Sequence, residues 1–256
     1  MAALRCLLLL LFAPVLQAAD VLLLSEENPP LNFTRAGQPS GFSVELVRLL
    51  AAQAGDRAEI RMEPWTRGYS RAQREAGVGL FSTARTPERE SRFQWVGPLM
   101  QARTCFYSRR VDKLRVDSLE DARRLRRLAL PRQWYSTDYL LAQGFDNLFT
   151  VASQDKMMHM FALGRGDLIV ASDIAVPQLL GLRNLRMEDV QQQHCFMEHE
   201  SYLAFSPQTD TALVARWQQA LHTLYRDGRF QHSYRRWFAD RPLGPRLEAV
   251  LGQVTR

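Results

Sequence analysis

The chain has 256 residues, 46% of them hydrophobic, and its 33 basic residues exceed 27 acidic ones to give a formal net charge of +6. That apolar share excludes a disordered chain, and the length suits one large or two small domains. Nearly all the basic residues are arginine, Lys113 and Lys156 being the only lysines, a balance that suits solubility and attraction for anionic solutes.

Residues 1–19 carry one arginine, Arg5, then an apolar run from Leu7 to Leu16 broken by Pro14, then Ala18 and Ala19. This reads as a secretory signal peptide cleaved before Asp20, because the run is too short to span a bilayer. No later stretch approaches the ~20 apolar residues of a spanning helix. The expected product is exported, periplasmic, not membrane-spanning, and without a nucleic-acid partner.

From Asp20 the elements alternate. DVLLLS (20–25) is a buried strand, and GFSVELVRLLAAQAG (41–55) carries a helical stripe through Val44, Val47, Leu50, Ala51 and Ala54 that stops at Gly55. AEIRME (58–63) alternates as a strand, WTRGYSRAQREA (65–76) is a helix and GVGLFS (77–82) a short strand. In TPERESRF (86–93), Thr86 as N-cap and Pro87 at the first helical position predict a helix start. Arg89 falls in its first turn, where the backbone is already electropositive, an arrangement that suits an anion held by free N–H groups and a guanidinium together.

WVGPLM leads into the strand RTCFYSRR, SLEDARRL opens a helix at Ser118, and RRLALP is a strand. STDYLLAQGF is a helix ended by Gly144, NLFTVA a strand, SQDKMMHMFALGRGD a helix from Ser153 to Gly164, and DLIVAS a strand. Two amphipathic helices, 211–228 and 229–238, close the series. Strand and helix alternation of this kind implies α/β units with a mostly parallel sheet covered on both faces, and the length suggests two of them.

Cys105 and Cys195 follow the leader. In an oxidising compartment they form either a disulfide or two free thiols, and their spacing leaves both open. HCFMEH (194–199) and MMHM (157–160) offer soft donors, but methionines in a helical apolar stripe are core fillers and neither run has an established ligand spacing. No metal or cofactor is assigned. G-x-S-x-G, H-E-x-x-H, C-x-x-C and phosphate-loop patterns are absent from the sequence, so no catalytic residue is assigned either.

PPLNF, GFSVELVRLLAAQAG, EPWTRGYS, ARTPERESRFQWVGPL, GRGDLIV and LHTLYRDGRFQHSYRRWF occur in this order. Together they resemble the periplasmic solute-binding proteins of the polar amino-acid ABC transporter type, extracellular solute-binding family 3. The resemblance implies a two-lobed periplasmic-binding-protein-like fold, mixed sheets flanked by helices, and two hinge strands, expected in RTCFYS and SYLAFS. Its boundaries would be 20–102 for the first part of lobe 1, 103–201 for lobe 2 and 202–256 for the C-terminal part of lobe 1. It further implies a monomer that captures a small polar, amino-acid-like or anionic solute, with hinge closure, for an ABC permease.

By the same resemblance, Arg89 in T-x-x-R and Ser82 would hold a carboxylate. Ala84 stands where amino-acid binders carry Ser or Thr, and the position expected to bear an amine-binding aspartate is Ser172, with Asp173 one residue on. Phe33, Trp65, Trp134 and Tyr135 fall in loops after strands, where open α/β units place their ligands; flat rings there either sandwich a ligand group or pack between sheet and helix. Arg89 has a plainer reading as a surface residue of an Arg85, Glu88, Arg89, Arg92 ladder. Two alternatives share the scaffold: an exported cyclohexadienyl or prephenate dehydratase, with Glu198 or Asp173 as the acid, and a periplasmic sensor module.

Overall fold

A computed structural model describes residues 20–239 and 241–254. The expected leader, 1–19, lies outside the described residues. Among the described residues, eight strands form one sheet: β1 (Asp20–Ser25), β4 (Arg57–Met62), β5 (Val78–Ala84), β6 (Gln94–Arg109), β7 (Leu128–Pro131), β8 (Leu148–Val151), β9 (Leu168–Ser172) and β10 (Val190–Phe205). β2 (Phe33–Arg35) and β3 (Gln38–Ser40) make a separate hairpin. The large sheet runs β4-β1-β5-β10-β6-β9-β7-β8. β4, β1 and β5 are mutually parallel at one end and β9, β7 and β8 at the other, while β10 is antiparallel to both β5 and β6. The sheet is therefore mixed and continuous, where the alternating pattern predicted mostly parallel units.

β6 and β10, of 16 residues each, cross between the two ends. The sequence divides β6 at Pro98, which lacks an N–H for the ladder. The strand continues because its register slips there: Ser201 faces Met100 but Leu203 faces Val96, so Gly97, Pro98 and Leu99 bulge from the pairing. Farther along the same ladder Cys195 lies opposite Cys105, and the two sulfurs are bonded. Of the two states open to this pair, the structure has the disulfide.

Side-chain alternation along the strands fills two layers. In the second end of the sheet, Phe106, Leu128, Leu130 and Val170 face one way, and Tyr107, Ala129, Ile169 and Ala171 the other. α5 (Gln154–Ala162) covers the latter face with Met157, Met158 and Phe161, all fully buried. At the first end, α1 (Phe42–Ala54) packs Phe42, Leu46, Val47 and Leu50 against Trp217, Leu221 and Leu224 of α7 (Thr211–Arg226). Each such burial is worth roughly 1.5–3 kcal/mol. α1 stops where expected, with Gly55 in the left-handed region at φ 74°. α8 (Arg229–Trp237) follows α7, and a further helix, α9 (Pro245–Val254), docks Leu247 and Leu251 on the same core.

The helix predicted at Thr86 is absent. The segment makes i→i+3 turns instead, Arg89 N donating to Thr86 O and Arg92 N to Arg89 O, and ends in a short 3₁₀ turn over Glu90–Arg92. Local side-chain contacts override the capping signal. Glu90 is held by Arg85 at 2.5 and 2.7 Å, and Trp95 Nε1 donates to the Glu90 carbonyl at 3.1 Å. No first turn of free amides exists for an anion.

Candidate functional site

The loops leaving β1, β7 and β9 at their C-terminal ends converge, as does α2 (Trp65–Ala72), which begins directly after Pro64. Between them lies an inner cavity of about 50 Å³, lined by Glu26, Asn28 and Trp65 from one end of the sheet and by Trp134, Tyr135 and Ser172 from the other. Switch-point loops of parallel strands are where α/β folds hold ligands. A second cavity of about 620 Å³ shares Glu26, Trp65, Trp134 and Leu179 with the first. The two are contiguous.

Direct hydrogen bonds cross the gap. Trp65 Nε1 donates to the Gln133 carbonyl at 2.9 Å, Trp134 Nε1 to Glu26 Oε1 at 3.0 Å, and Arg89 Nη2 to the Gln133 carbonyl at 3.0 Å and Asp138 Oδ2 at 3.1 Å. Gln133 adopts φ 59°, a left-handed conformation costing a non-glycine residue of order 1–2 kcal/mol, and its carbonyl serves both donors.

Glu26 keeps some exposure toward the cavities it lines, yet protein surrounds its carboxyl closely. Burial pushes it up to about 8, against the Trp134 hydrogen bond and the Arg89 charge, which act downward. Behind the cavity, Tyr135 OH lies 2.7 Å from Thr104 Oγ1, which lies 3.3 Å from His199 Nδ1, and the Tyr135 and His199 ring centroids are 4.4 Å apart with planes tilted by 43°. Burial holds His199 down at about 4 and lifts Tyr135 to about 12, so both are neutral at ordinary pH.

Of the residues expected from sequence, Trp65, Trp134, Tyr135 and Ser172 are brought together around the inner cavity. The other four lie elsewhere. Arg89 is 2% exposed, stacked over the Tyr69 and Trp65 rings at 5.1 and 5.6 Å, with Nη1 unpartnered and Nη2 already on Asp138; it lines neither cavity. It is no surface ladder residue either. Ser82, at φ 58°, donates to Asn32 Oδ1 at 2.6 Å, and Asn32 Nδ2 reaches the Glu26 carbonyl at 2.5 Å, so Ser82 braces the loop that carries Glu26. Phe33 sits on the β2–β3 hairpin, which turns its ring edge-on to Trp237 at 6.3 Å and away from the cavities. Asp173 is neutralised in place by Arg103 at 3.4 Å and Arg241 at 3.1 Å. Glu198, the other acid considered, is exposed on β10. Ala84 is buried in β5.

Glu26 and Asn28 line the inner cavity, and Thr104 and His199 back Tyr135; the sequence assigns none of the four to a solute site. Glu26 and Asn28 had a signal, since they immediately follow β1 at its C-terminal end. Thr104 and His199 had none, because their neighbours are set by the β6–β10 pairing.

No curated protein matches the chain in sequence. Solved structures do match its fold. A histidine kinase sensor domain with similarity to periplasmic binding proteins aligns at TM-score 0.77 and 22% identity, over 85% of this chain and 95% of that one. A histidine-bound substrate-binding protein of an ABC uptake transporter from Streptococcus pneumoniae aligns at TM-score 0.77 and 14% identity, over 86% and 93%. The ancestral amino acid-binding protein AncCDT-1, a precursor of cyclohexadienyl dehydratase, aligns at TM-score 0.72 and 18% identity, over 86% and 95%. At such identities the likeness is one of fold. Family membership rests on the sequence itself, which matches the family model over residues 21–240: the chain belongs to the bacterial extracellular solute-binding proteins, family 3.

Proposed function

We propose that this protein is a periplasmic monomer that captures a small, polar, amino-acid-like solute between two lobes, 20–102 with 202–256 and 103–201, and delivers it to an ABC permease. β6 and β10 serve as the hinge. One observation carries this reading: the inner cavity is walled by Glu26 and Trp65 from the first lobe and by Trp134, Tyr135 and Ser172 from the second. A solute touching both walls stabilises only the closed arrangement, and so shifts the hinge equilibrium toward it. Arg89 contributes from behind the wall, since its bonds to Gln133 and Asp138 exist only while the lobes are shut.

A thermal-shift screen against amino acids, polyamines, organic acids and prephenate tests the reading, because a ligand at 100 times its Kd stabilises by about 2.7 kcal/mol. Stabilisation without turnover supports capture. Turnover of prephenate would replace it with the dehydratase. Arg89→Ala is expected to weaken the solute found by about 10-fold or more in calorimetry, through loss of a charged hydrogen bond that accompanies closure. Unchanged affinity would remove Arg89 from the mechanism.

A further inference from the structure

The two cavities differ in chemistry. The inner one presents the rings of Trp65, Trp134 and Tyr135 with the Glu26 carboxyl, and its volume of about 50 Å³ admits a group of only a few non-hydrogen atoms. Aromatic faces attract cations. Among the described residues Glu26 has no ion-pair partner; its carboxyl receives Trp134 Nε1 alone. Asn28 and Ser172 add acceptors for an N–H donor.

The outer cavity, about 620 Å³, is lined on the second lobe by Arg132, Ser153 and Gln154. Here α5 begins, its N-terminal turn carrying the positive end of the helix dipole. Gln154 is 7% exposed and its Nε2 has no hydrogen-bond partner. Arg132 has no acidic partner among the described residues. Four carboxylates also line this cavity: Glu63 is paired by Arg71 and Asp155 by Arg183, Glu27 accepts from the Thr34 amide and hydroxyl, and Glu26 borders both cavities. Arg132, Gln154 and the first turn of α5 thus offer donors to a carboxylate in the outer cavity, and the inner cavity holds a carboxyl that burial keeps protonated below about pH 8 and that releases its proton to receive a cation.

We propose that the solute is an extended zwitterion of ω-amino acid type, which inserts a primary ammonium into the inner cavity against Glu26 and the three rings. Its carboxylate stays in the outer cavity against Arg132, Gln154 and the first turn of α5. This assignment rests on the reading of the cleft as a solute site and reverses the orientation expected from sequence, leaving Arg89 to Asp138. A primary ammonium fits better than a trimethylated one because the inner cavity is small and its acceptors need N–H donors.

Calorimetry on the mature chain with 5-aminopentanoate, pentanoate, pentylamine, 5-(trimethylammonio)pentanoate and a panel of α-amino acids tests it. The expected result is binding of 5-aminopentanoate, with pentanoate, pentylamine and the trimethylated compound each weaker by about 10-fold or more. Glu26→Gln should weaken both 5-aminopentanoate and pentylamine. The double change Arg132→Ala and Gln154→Ala should weaken 5-aminopentanoate and leave pentylamine unchanged, a contrast that a folding defect does not produce. Pentanoate binding as tightly as 5-aminopentanoate overturns the proposal. If α-amino acids bind and none of the ω-compounds does, the orientation falls while capture in the cleft stands; if nothing in either set binds, both fall.

Discussion

Glu26 sets the pH response expected of this molecule at the residue scale. Its carboxyl titrates near 8 in the folded chain against 4.5 as its ordinary value. Between these values the folded state binds more protons than the unfolded one, so stability falls as pH rises and levels off above 8. His199 works the other way and lower down, since its depressed value near 4, against 6.5, removes stability only as pH drops below 6.5. The window from 6.5 to 8 therefore isolates Glu26, with an upper bound of about 2 kcal/mol from 1.36 kcal/mol per pH unit. Melting curves at the two ends should show a fall in Tm of a few degrees on going to pH 8. Glu26→Gln should abolish most of that fall and raise Tm at pH 8; an unchanged slope would mean that the carboxyl is open to water.

At the scale of elements, the entry to α1 fixes the loop that carries Glu26 and Asn28. Gly41 stands there at φ 120°, and a Cβ on it would overlap the Leu31 carbonyl and the Asn32 amide. Gly41→Ala should cost about 2 kcal/mol or more, since backbone has to move. Gly37 on the β2–β3 turn is the control: it is also left-handed, at φ 74°, but has nothing within 4 Å of an added Cβ, so Gly37→Ala should cost only about 1 kcal/mol. Denaturant unfolding of the two variants separates steric overlap from conformational preference. Equal losses would contradict the packing at Leu31.

The whole molecule is tied together where β6 and β10 cross. The Cys105–Cys195 bond closes a loop of 90 residues in sequence, and on the chain-entropy account such a link stabilises by about 4.6 kcal/mol. Paired Cys105→Ser and Cys195→Ser substitutions should lower Tm by about 10 °C, a shift that calorimetric melting would register. The cross-cleft bonds make a second prediction. Asp138→Ala removes the carboxylate that meets Arg89, and should give a larger radius of gyration in small-angle scattering than the ~18 Å of a compact chain this long. No change would mean that the other bonds across the gap suffice to hold the proposed closure.

What the sequence determined by itself was periodic and local. The stripe of α1 and its stop at Gly55 and the alternation of strands and helices were legible, because hydrophobic period and turn residues act over a few neighbours; of four aromatics expected after strands, Trp65, Trp134 and Tyr135 line the inner cavity and Phe33 does not. Most of the differences share one physical cause, which is that distant partners decide a residue's environment. Thr86-Pro87 is the exception: it carries good helix-start signals, but Arg85 and Trp95, each five residues from Glu90, claim it and turn the segment. Glu26 drew no expectation, because Trp134, which encloses it, lies 108 residues away. Arg89 was recognised as a special guanidinium, but only the approach of Gln133 and Asp138 from across the gap gave it its partners. Local propensity wrote the elements, and tertiary packing chose which charges were buried and against what.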